Sequence, residues 1–281
     1  MERTITTGIL QDFAAHLARE ERAPATMEKY LRDARQFGTW LDGAAVTKES
    51  VIAWREHLLT EHLLSPSTVN ASLSALNGLF RFLGWEDCRA RFLKIQRRMF
   101  RDSARELTRP DYDKLTATAR GMGRERLALT METICATGVR VSEVRFITVE
   151  AAKQGRSEIT MKGKIRVILI PAKLCRKLLK YAKKQKIVSG EIFLTGNGRG
   201  VTRRQIWSEM KRLCVYAGVE PSKVFPHNLR HLFAVAYYRA YKDIAKLADM
   251  LGHSSIETTR IYLLSSGAEH QRQLDRLGLV S

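Results

Sequence analysis

The chain has 281 residues and 44% hydrophobic content, which is enough for two ordinary domains with a core in each. Its 48 Lys and Arg exceed its 29 Asp and Glu, and the resulting net charge of +19 makes a polyanion the expected partner. A solubilising surface or a ribosome-associated protein would also explain this charge. An anionic membrane is disfavoured, because the sequence contains no run of about 18 apolar residues, the length that could span a bilayer. Nucleic acid is therefore the favoured partner.

The N-terminus and the cysteines indicate an intracellular protein. The first residues lack the basic and then apolar run of a secretory signal, so we expect the chain in the cytoplasm, associated with the nucleoid. The cysteines occur singly, and no Cys-x-x-Cys pair could bind zinc or carry out redox chemistry. Each is predicted to be a small buried or half-buried side chain. They are Cys88, Cys135, Cys175 and Cys214.

Residues 1–92 are predicted to form a bundle of about four helices. Pro24 and Pro66 stand where helices begin. Lys29, Arg32 and Arg35 cluster on a polar face, and either DNA contact or an ordinary solvated face would account for them. Apolar residues recur at the spacing of one helix face in two stretches. These are Tyr30, Ala34, Phe37 and Leu41, and Val69, Leu73, Leu76, Phe80 and Leu83.

Residues 93–106 are predicted to be a basic linker between two domains. The apolar periodicity fades here. Six basic residues lie in or just beyond the segment, and the acidic residues among them are Asp102 and Glu106. We expect the linker to lie on DNA phosphates; the competing explanation is an exposed helix end with ordinary surface charge. The cations are Lys94, Arg97, Arg98, Arg101, Arg105 and Arg109.

Residues 107–281 are predicted to form a mostly helical domain with a small antiparallel sheet, so the fold class is mainly α (α+β). Two strands, 158–161 and 165–170, flank Lys162-Gly163-Lys164, which has the glycine and polar residues of a hairpin turn. Ile192–Leu194 is predicted to add a short strand. Helices are expected over residues 113–119, 124–136, 172–186, 202–217, 228–240, 243–251 and 255–264.

Arg140 is the first residue with a possible chemical role. It follows a glycine-broken loop at Gly138 and is predicted to stand in the first turn of a helix. The amino end of a helix carries partial positive charge and attracts phosphate. A lone arginine in such a place is more often a surface or ion-paired residue, so only its companions make it a candidate.

A second candidate group lies at residues 227–231. His227 and Arg230 are three positions apart, so an imidazole and a bidentate guanidinium would lie on one helix face and reach one phosphate. His231 is about 100° further round the helix and is interpreted as structural. This spacing alone is weak evidence, because helices contain many such pairs.

The third group is a tight corner followed by a tyrosine. Gly252 is predicted to end one helix in the left-handed conformation, and Ser254 with Glu257 is predicted to form a capping box for the next. His253 would be held at this corner, nine residues before Tyr262. Taken singly, such a histidine is usually a helix-end residue and such a tyrosine a half-buried aromatic.

Together these side chains suit cleavage of a phosphodiester without metal. The reaction needs a nucleophile, cations beside the non-bridging oxygens, an acid for the leaving 5′ oxygen and imidazoles for proton transfer. A tyrosine phenol, with an unperturbed pKa of about 10, is also a reasonable leaving group in the reverse reaction. Reversibility is what rejoining requires.

In this order and at these spacings the residues resemble the signature of the tyrosine recombinase family, the phage-integrase-type site-specific recombinases. The family's Thr-Gly-x-Arg-x-Ser-Glu box is matched by residues 137–143, its His-x-Leu-Arg-His box by residues 227–231 and its Leu-Gly-His box by residues 251–253. The resemblance covers essentially the whole chain. It implies that residues 1–92 are a core-binding, DNA-binding domain and that residues 107–281 are the catalytic domain.

The resemblance also implies a role for each matched residue. Arg140 and Arg230 would hold the scissile phosphate, and His227 would accept or relay the tyrosine proton. His253 would hydrogen-bond a non-bridging oxygen, and Tyr262 would form the 3′-phosphotyrosyl bond.

The remaining implied role is that of the general acid. The family's hairpin lysine matches Lys162 best, because it directly precedes the glycine, although Lys164 stays open as the acid or as a DNA contact. Glu143 is expected only to orient the helix of Arg140. Every expected catalytic position is occupied by a matching residue.

The resemblance further implies an enzyme that clamps duplex DNA and needs neither metal nor nucleotide cofactor. Four protomers would bind two sites, exchange strands through a Holliday junction and exchange a C-terminal helix, for which residues 267–279 are the candidate; DNA-bending or directionality factors remain open. A type IB topoisomerase and a non-catalytic architectural protein are the alternatives. The short N-terminal bundle and the tail argue against the first, and the intact residue set argues against the second.

Overall fold

The structure is a computed structural model that describes residues 3–95, 105–161, 164–263, 271–272 and 274–277. The chain divides into two compact units, Met1–Arg97 and Arg98–Ser281. Within the described ranges, every helix is too short or too polar to cross a membrane.

The first unit is a helical bundle, as the sequence predicts. Its helices are α1 (Thr7–Arg19), α2 (Pro24–Leu41), α3 (Lys48–Thr60) and α4 (Pro66–Phe82), followed by a 3₁₀ turn at Glu86–Cys88. The side chains of Thr6, Thr47 and Ser65 accept backbone hydrogen bonds at the starts of α1, α3 and α4. The apolar stripes meet in one core that includes Phe13, Phe37, Trp54, Leu73 and Phe80.

The cations predicted to contact DNA from this unit have different surroundings. Lys29 Nζ lies 2.5 Å from Asp33 Oδ2 and donates to the Ala71 carbonyl at 2.8 Å. Arg32 also pairs with the buried Asp33, at 3.3 Å, whereas Arg35 and Lys94 are exposed. Lys29 is thus tied to the bundle, and the other three lie at its surface. The linker residues Arg97, Arg98 and Arg101 lie outside the described residues.

The second unit is mostly helical, with one antiparallel hairpin. The core surrounds α6, whose residues Met131 and Ile134 are fully buried. The elements in order are α5 (Arg109–Gly121), α6 (Glu125–Thr137), a 3₁₀ helix (Val141–Phe146), α7 (Val149–Gln154), β1 (Arg156–Met161), β2 (Lys164–Leu169), α8 (Ala172–Lys184), α9 (Arg203–Ala217), a 3₁₀ turn (Pro221–Lys223), α10 (Pro226–Tyr241), α11 (Ile244–Leu251), α12 (Ile256–Arg260) and a 3₁₀ turn (Ile261–Leu263).

The predicted strand at Ile192–Leu194 is wrong. The chain forms two isolated bridges there, Thr148 with Glu191 and Leu194 with Gly200. The Thr195 backbone N–H donates to the Arg199 carbonyl, so the segment turns back on itself after Leu194. Ile192 and Phe193 are buried and Leu194 is half-buried, without a continuous strand partner. In the described residues the sheet consists of β1 and β2, with Ile159 opposite Arg166.

Two local predictions near the site also need correction. The helix after Gly252 is capped by Ser255, whose Oγ accepts from the Glu257 N–H at 3.2 Å, and not by Ser254. The tight corner explains the shift, because the His253 N–H still donates to the Ala248 carbonyl and Ser255 has the extended backbone of a cap residue. The helix that starts after Arg140 is a 3₁₀ helix, in which Arg140 is the N-terminal cap residue.

Candidate active site

The site begins where α6 ends at Gly138. This residue has φ +65°, and a Cβ there would lie 2.5 Å from Cδ1 of Phe233. Glycine is therefore required by both the backbone conformation and the close approach of α10. The turn releases the Gly138 carbonyl toward Arg230 Nη1, 2.5 Å away, and places Arg140 at the start of the 3₁₀ helix.

Glu143 fixes the side chain of Arg140. Glu143 Oε1 accepts from Arg140 Nη1 at 2.7 Å, and Oε2 accepts from the Arg140 backbone N–H at 2.9 Å. Burial by itself would raise the pKa of this carboxyl, but the hydrogen bonds from Arg140 and the charges of Arg166 and Arg140 hold it below its usual value. Glu143 is thus a buried anion that keeps one face of a half-exposed guanidinium in place.

The carboxyl end of α11 gathers three arginines. Its last carbonyls accept one guanidinium each: Met250 from Arg166 at 2.5 Å, Leu251 from Arg230 at 2.7 Å and Gly252 from Arg140 at 3.1 Å. The carboxyl end of a helix carries partial negative charge, so it stabilises cations held against it. One helix end therefore keeps three like charges close together before any phosphate is bound.

Arg230 is the most buried of the three, with 3% of its surface exposed. Burial and the charges of Arg140 and Arg166 lower its pKa to about 10, against the raising effect of a hydrogen bond with Tyr262. Arg230 is still cationic at neutral pH. An oxyanion that enters this site would relieve the repulsion among the guanidiniums.

His253 is held in a defined tautomer. Arg230 Nη2 lies 3.0 Å from His253 Nε2, and because arginine can only donate, Nε2 must accept. Nδ1 then carries the proton and donates to Thr259 Oγ1 at 2.8 Å. Burial, followed by the charges of Arg230, Arg140 and Arg166, lowers the His253 pKa to about 4, so the ring is neutral at pH 7. To donate to a phosphate oxygen through Nε2, His253 must gain a proton there.

Tyr262 is surrounded by imidazoles. Its ring stacks on His253 at 5.7 Å between centroids and 12° between planes. His227 lies tilted at 5.6 Å, with its pKa lowered by burial and by Arg230. His231, predicted to be structural, packs edge-on against the same phenol at 5.3 Å. Tyr262 is 6% exposed and packs on Ala234, Leu247 and Leu251, so its ring is held firmly.

These side chains open into one cavity of about 930 Å³. Its lining includes five of the predicted catalytic residues: Arg140, His227, Arg230, His253 and Tyr262. It also includes Arg203, Arg204 and Trp207 of α9, which the sequence analysis did not single out. The sequence did contain a signal for these residues, because two adjacent arginines directly follow Thr202, which caps α9. Lys162 lies outside the described residues, and of Lys164 the structure describes the backbone, as the first residue of β2.

Arg166 is the main residue that sequence reasoning missed. Its Nη1 lies 2.9 Å from Glu143 Oε2, and its side chain is 11% exposed. A Cβ on Gly252 would lie 2.5 Å from Arg166 Cδ, so this arginine explains why a glycine stands before His253. Arg166 thereby joins β2 to both Arg140 and the His253 corner.

We expect Arg166→Met to slow the DNA cleavage that the sequence resemblance implies by up to about 100-fold, the loss that a misplacement of about 1 Å can cause. The change leaves Glu143 without one of its two cations and the Met250 carbonyl without its donor. Single-turnover cleavage and equilibrium DNA binding are measured together, and binding should change much less than rate. Arg145→Met, an exposed arginine of the same 3₁₀ helix, is the matched control. If Arg166→Met cleaved DNA at the wild-type rate, Arg166 would have no role in positioning the site.

We expect His253 to make the folded protein sensitive to mild acid. Above its usual pKa of 6.5 the ring is neutral in both the folded and unfolded states and has no effect. Between pH 6.5 and about pH 4 the unfolded chain binds the proton first, so the free energy of unfolding falls as pH falls. Urea midpoints at pH 7 and pH 5 should differ less for His253→Gln than for wild type. An equal pH dependence of the two proteins would contradict this assignment.

Sequence comparisons identify relatives over nearly the whole chain. The phage integrase family matches residues 105–269, and the phage integrase N-terminal SAM-like domain matches residues 10–87. Tyrosine recombinase XerC of Roseiflexus castenholzii is 31% identical and covers 90% of this chain and 87% of its own. Tyrosine recombinase XerA of Thermococcus kodakarensis is 29% identical, with 94% and 93% covered.

Solved structures share the fold at lower sequence identity. A lambda integrase tetramer bound to a Holliday junction aligns with a TM-score of 0.73 at 20% identity, covering 91% of this chain and 76% of that one. The Tn1549 transposon integrase in complex with transposon right end DNA aligns with a TM-score of 0.72 at 17% identity, covering 96% and 99%. These likenesses confirm the predicted fold class.

Proposed function

The chain belongs to the phage integrase family of tyrosine recombinases, site-specific recombination enzymes that cleave and rejoin DNA, and we propose that Tyr262 is its nucleophile. The observation that carries this proposal is the convergence of the Tyr262 phenol with Arg140, Arg230, His227 and His253 on a single cavity. The resulting intermediate would be a 3′-phosphotyrosyl bond, resolved by attack of a 5′ hydroxyl.

The geometry supports a division of labour among these side chains. Arg140 and Arg230 would bind the non-bridging oxygens, because both are held by carbonyls of one helix end and both face the cavity. His227, a neutral base at 5.6 Å from the Tyr262 ring, would take the phenol proton. His253 would then donate to the phosphate, after the phosphate charge offsets the repulsion that lowers its pKa.

A lysine of the hairpin tip would complete the chemistry. The acid must protonate the 5′ oxygen as it leaves, and we assign this role to Lys162. The hairpin is anchored near the site by Arg166, which ties β2 to Glu143 and to α11. Lys164 is kept as a DNA contact.

The proposal is tested by looking for a covalent adduct on nicked DNA. A pool of nicked duplexes with random sequence around the nick is incubated with the protein in excess EDTA and separately in magnesium. Detergent-resistant adducts are recovered and their DNA is sequenced, which also yields the preferred site. We expect adducts in both conditions, because guanidiniums and a lysine take the place of a metal ion. Adducts that form only with metal would overturn the mechanism.

We further propose that the N-terminal bundle, residues 1–92, binds DNA as a core-binding domain and that residues 93–106 link it to the catalytic domain, residues 107–281. Exposed Arg32, Arg35 and Lys94 are its candidate contacts, whereas Lys29 is engaged with Asp33 and Ala71. The chain would act on duplex DNA in the cytoplasm, at the nucleoid, with DNA-bending or directionality factors as further candidate partners.

We propose that protomers pair through the C-terminal tail, residues 267–279, to form a tetramer on two sites. This segment lies largely outside the described residues, but Leu274 and Leu277 are described and are 54% and 60% exposed. Truncation after Leu264 should leave adduct formation on single sites intact. It should abolish the pairing of two sites, measured by mass photometry on the DNA recovered above. If the truncated chain recombined two sites normally, the tail would have no role in assembly.

A further inference from the structure

Helix α8 has a strongly cationic face that takes no part in the site described above. The helix contains six cations and no acidic residue. Its apolar side, with Leu174, Leu178 and Tyr181, is buried in the core of the unit. The cations are all exposed and are Lys173, Arg176, Lys177, Lys180, Lys183 and Lys184.

Few carboxylates neutralise this face. Lys177 pairs with Glu132 at 2.9 Å, and Lys184 pairs with Glu125 at 2.9 Å. Glu132 is also shared with Arg120, so its charge is divided between two cations. In the part of the chain that the structure describes, the other four cations of α8 have no carboxylate within ion-pair distance. The face therefore keeps most of its positive charge.

This arrangement destabilises the isolated helix. Lys173 with Lys177, Arg176 with Lys180 and Lys180 with Lys184 are like charges four residues apart, which repel one another on a helix surface. Lys173 also lies at the amino end, where a cation is disfavoured. Binding of a polyanion would relieve all of these repulsions at once.

The ion pairs show where the face lies. Lys177 meets Glu132 while the later Lys184 meets the earlier Glu125, so α8 runs antiparallel to α6. At 1.5 Å per residue, Glu132 and Glu125 stand about 9 Å and about 20 Å before Gly138, where α6 reaches the catalytic cavity. The cationic face thus extends away from that cavity, and α8 supplies none of its lining.

We propose that the α8 face is a second DNA-binding surface, which holds the phosphate backbone of duplex DNA outside the catalytic cavity without reading its sequence. From Lys173 to Lys184 the face spans about 16 Å, comparable with about five base pairs of B-DNA. A lipid surface fits less well, because the opposite side of α8 is buried and has no apolar surface to insert. The choice of DNA over other polyanions rests on the proposed function. The bound duplex is either the flank of the site being cleaved or a second molecule.

The test neutralises the four cations that lack an ion pair, as Lys173→Gln, Arg176→Gln, Lys180→Gln and Lys183→Gln together, and keeps Lys177 and Lys184 for folding. The matched control removes the same charge from exposed positions on four other helices, as Arg19→Gln, Arg81→Gln, Arg239→Gln and Lys246→Gln. Binding is measured as a function of salt concentration on two random-sequence duplexes. One is just long enough to occupy the catalytic cavity, and the other is long enough to reach the α8 face as well. Bridging of two differently labelled short duplexes is measured in parallel.

On the longer duplex, or in bridging, the slope of log K against log salt concentration should become less steep for the α8 variant, by about 0.9 for each phosphate contact removed. The control variant should keep the wild-type slope. A loss on the longer duplex assigns the face to flanking DNA, and a loss of bridging assigns it to a second molecule. Unchanged behaviour in both assays overturns the proposal, as does an equal loss on a single short duplex. A defect confined to duplex RNA or to phosphatidylserine vesicles would also overturn it. Adduct formation through Tyr262 is scored separately, so failure of the proposed chemistry would be distinguishable.

Discussion

Tyr262→Phe is expected to abolish the covalent protein–DNA adduct completely while leaving DNA binding within a few-fold of wild type. The substitution removes one oxygen from a ring that is held by His253, His231 and the apolar residues of α10 and α11. The ring stays packed, and the arginines stay on the carbonyls of α11, so the phosphate site remains. Without the phenol oxygen no phosphotyrosyl bond can form.

The matched control is Tyr241→Phe, which removes the same atom from an exposed tyrosine of α10. Both variants are compared with wild type on nicked duplexes, with adducts resolved on denaturing gels and binding followed by anisotropy. The control should form adducts at the wild-type rate. A detergent-resistant adduct from Tyr262→Phe would mean that another residue attacks, and the assignment would be wrong.

Replacing Lys162 with Ala should slow cleavage of ordinary DNA by about 10²–10⁴-fold, the usual contribution of a general acid. A 5′-bridging phosphorothiolate should restore most of that rate, because the sulfur leaves without being protonated. Lys164→Ala should show a small defect that the sulfur substrate does not change. The measurement is single-turnover cleavage of both substrates by each variant.

Arg140→Ala is the informative control for this experiment. Its guanidinium faces the cavity and would stabilise non-bridging oxygens, so sulfur at the bridging position should not rescue its loss. If Lys164→Ala is rescued and Lys162→Ala is not, the acid is Lys164. If neither lysine variant responds to sulfur, the hairpin does not supply the acid.

The helices of the N-terminal unit and the residue types of the catalytic set could be read from the sequence because their signals are local. Pro24 and Pro66 mark the starts of α2 and α4, and the apolar stripes bury as predicted. The spacing of His227 and Arg230 on one helix and the glycine-ended turn before His253 were also local features, and the structure contains both. That Arg140, Arg230, His253 and Tyr262 meet at one cavity is a long-range fact, which their resemblance to a family signature anticipated.

The tertiary structure decided what local sequence could not. The more apolar face of strand β2 consists of Ile165, Val167 and Leu169, so alternation alone would predict that this face is buried. The fold buries the face with Ile168 and leaves Val167 and Leu169 exposed by 47% and 68%. Arg166 shares the buried face because Glu143 and the Met250 carbonyl, distant in sequence, neutralise and bind its guanidinium. The sequence by itself determined which side chains could do the chemistry, whereas the carboxyl end of α11 decided how three mutually repelling arginines are held close together.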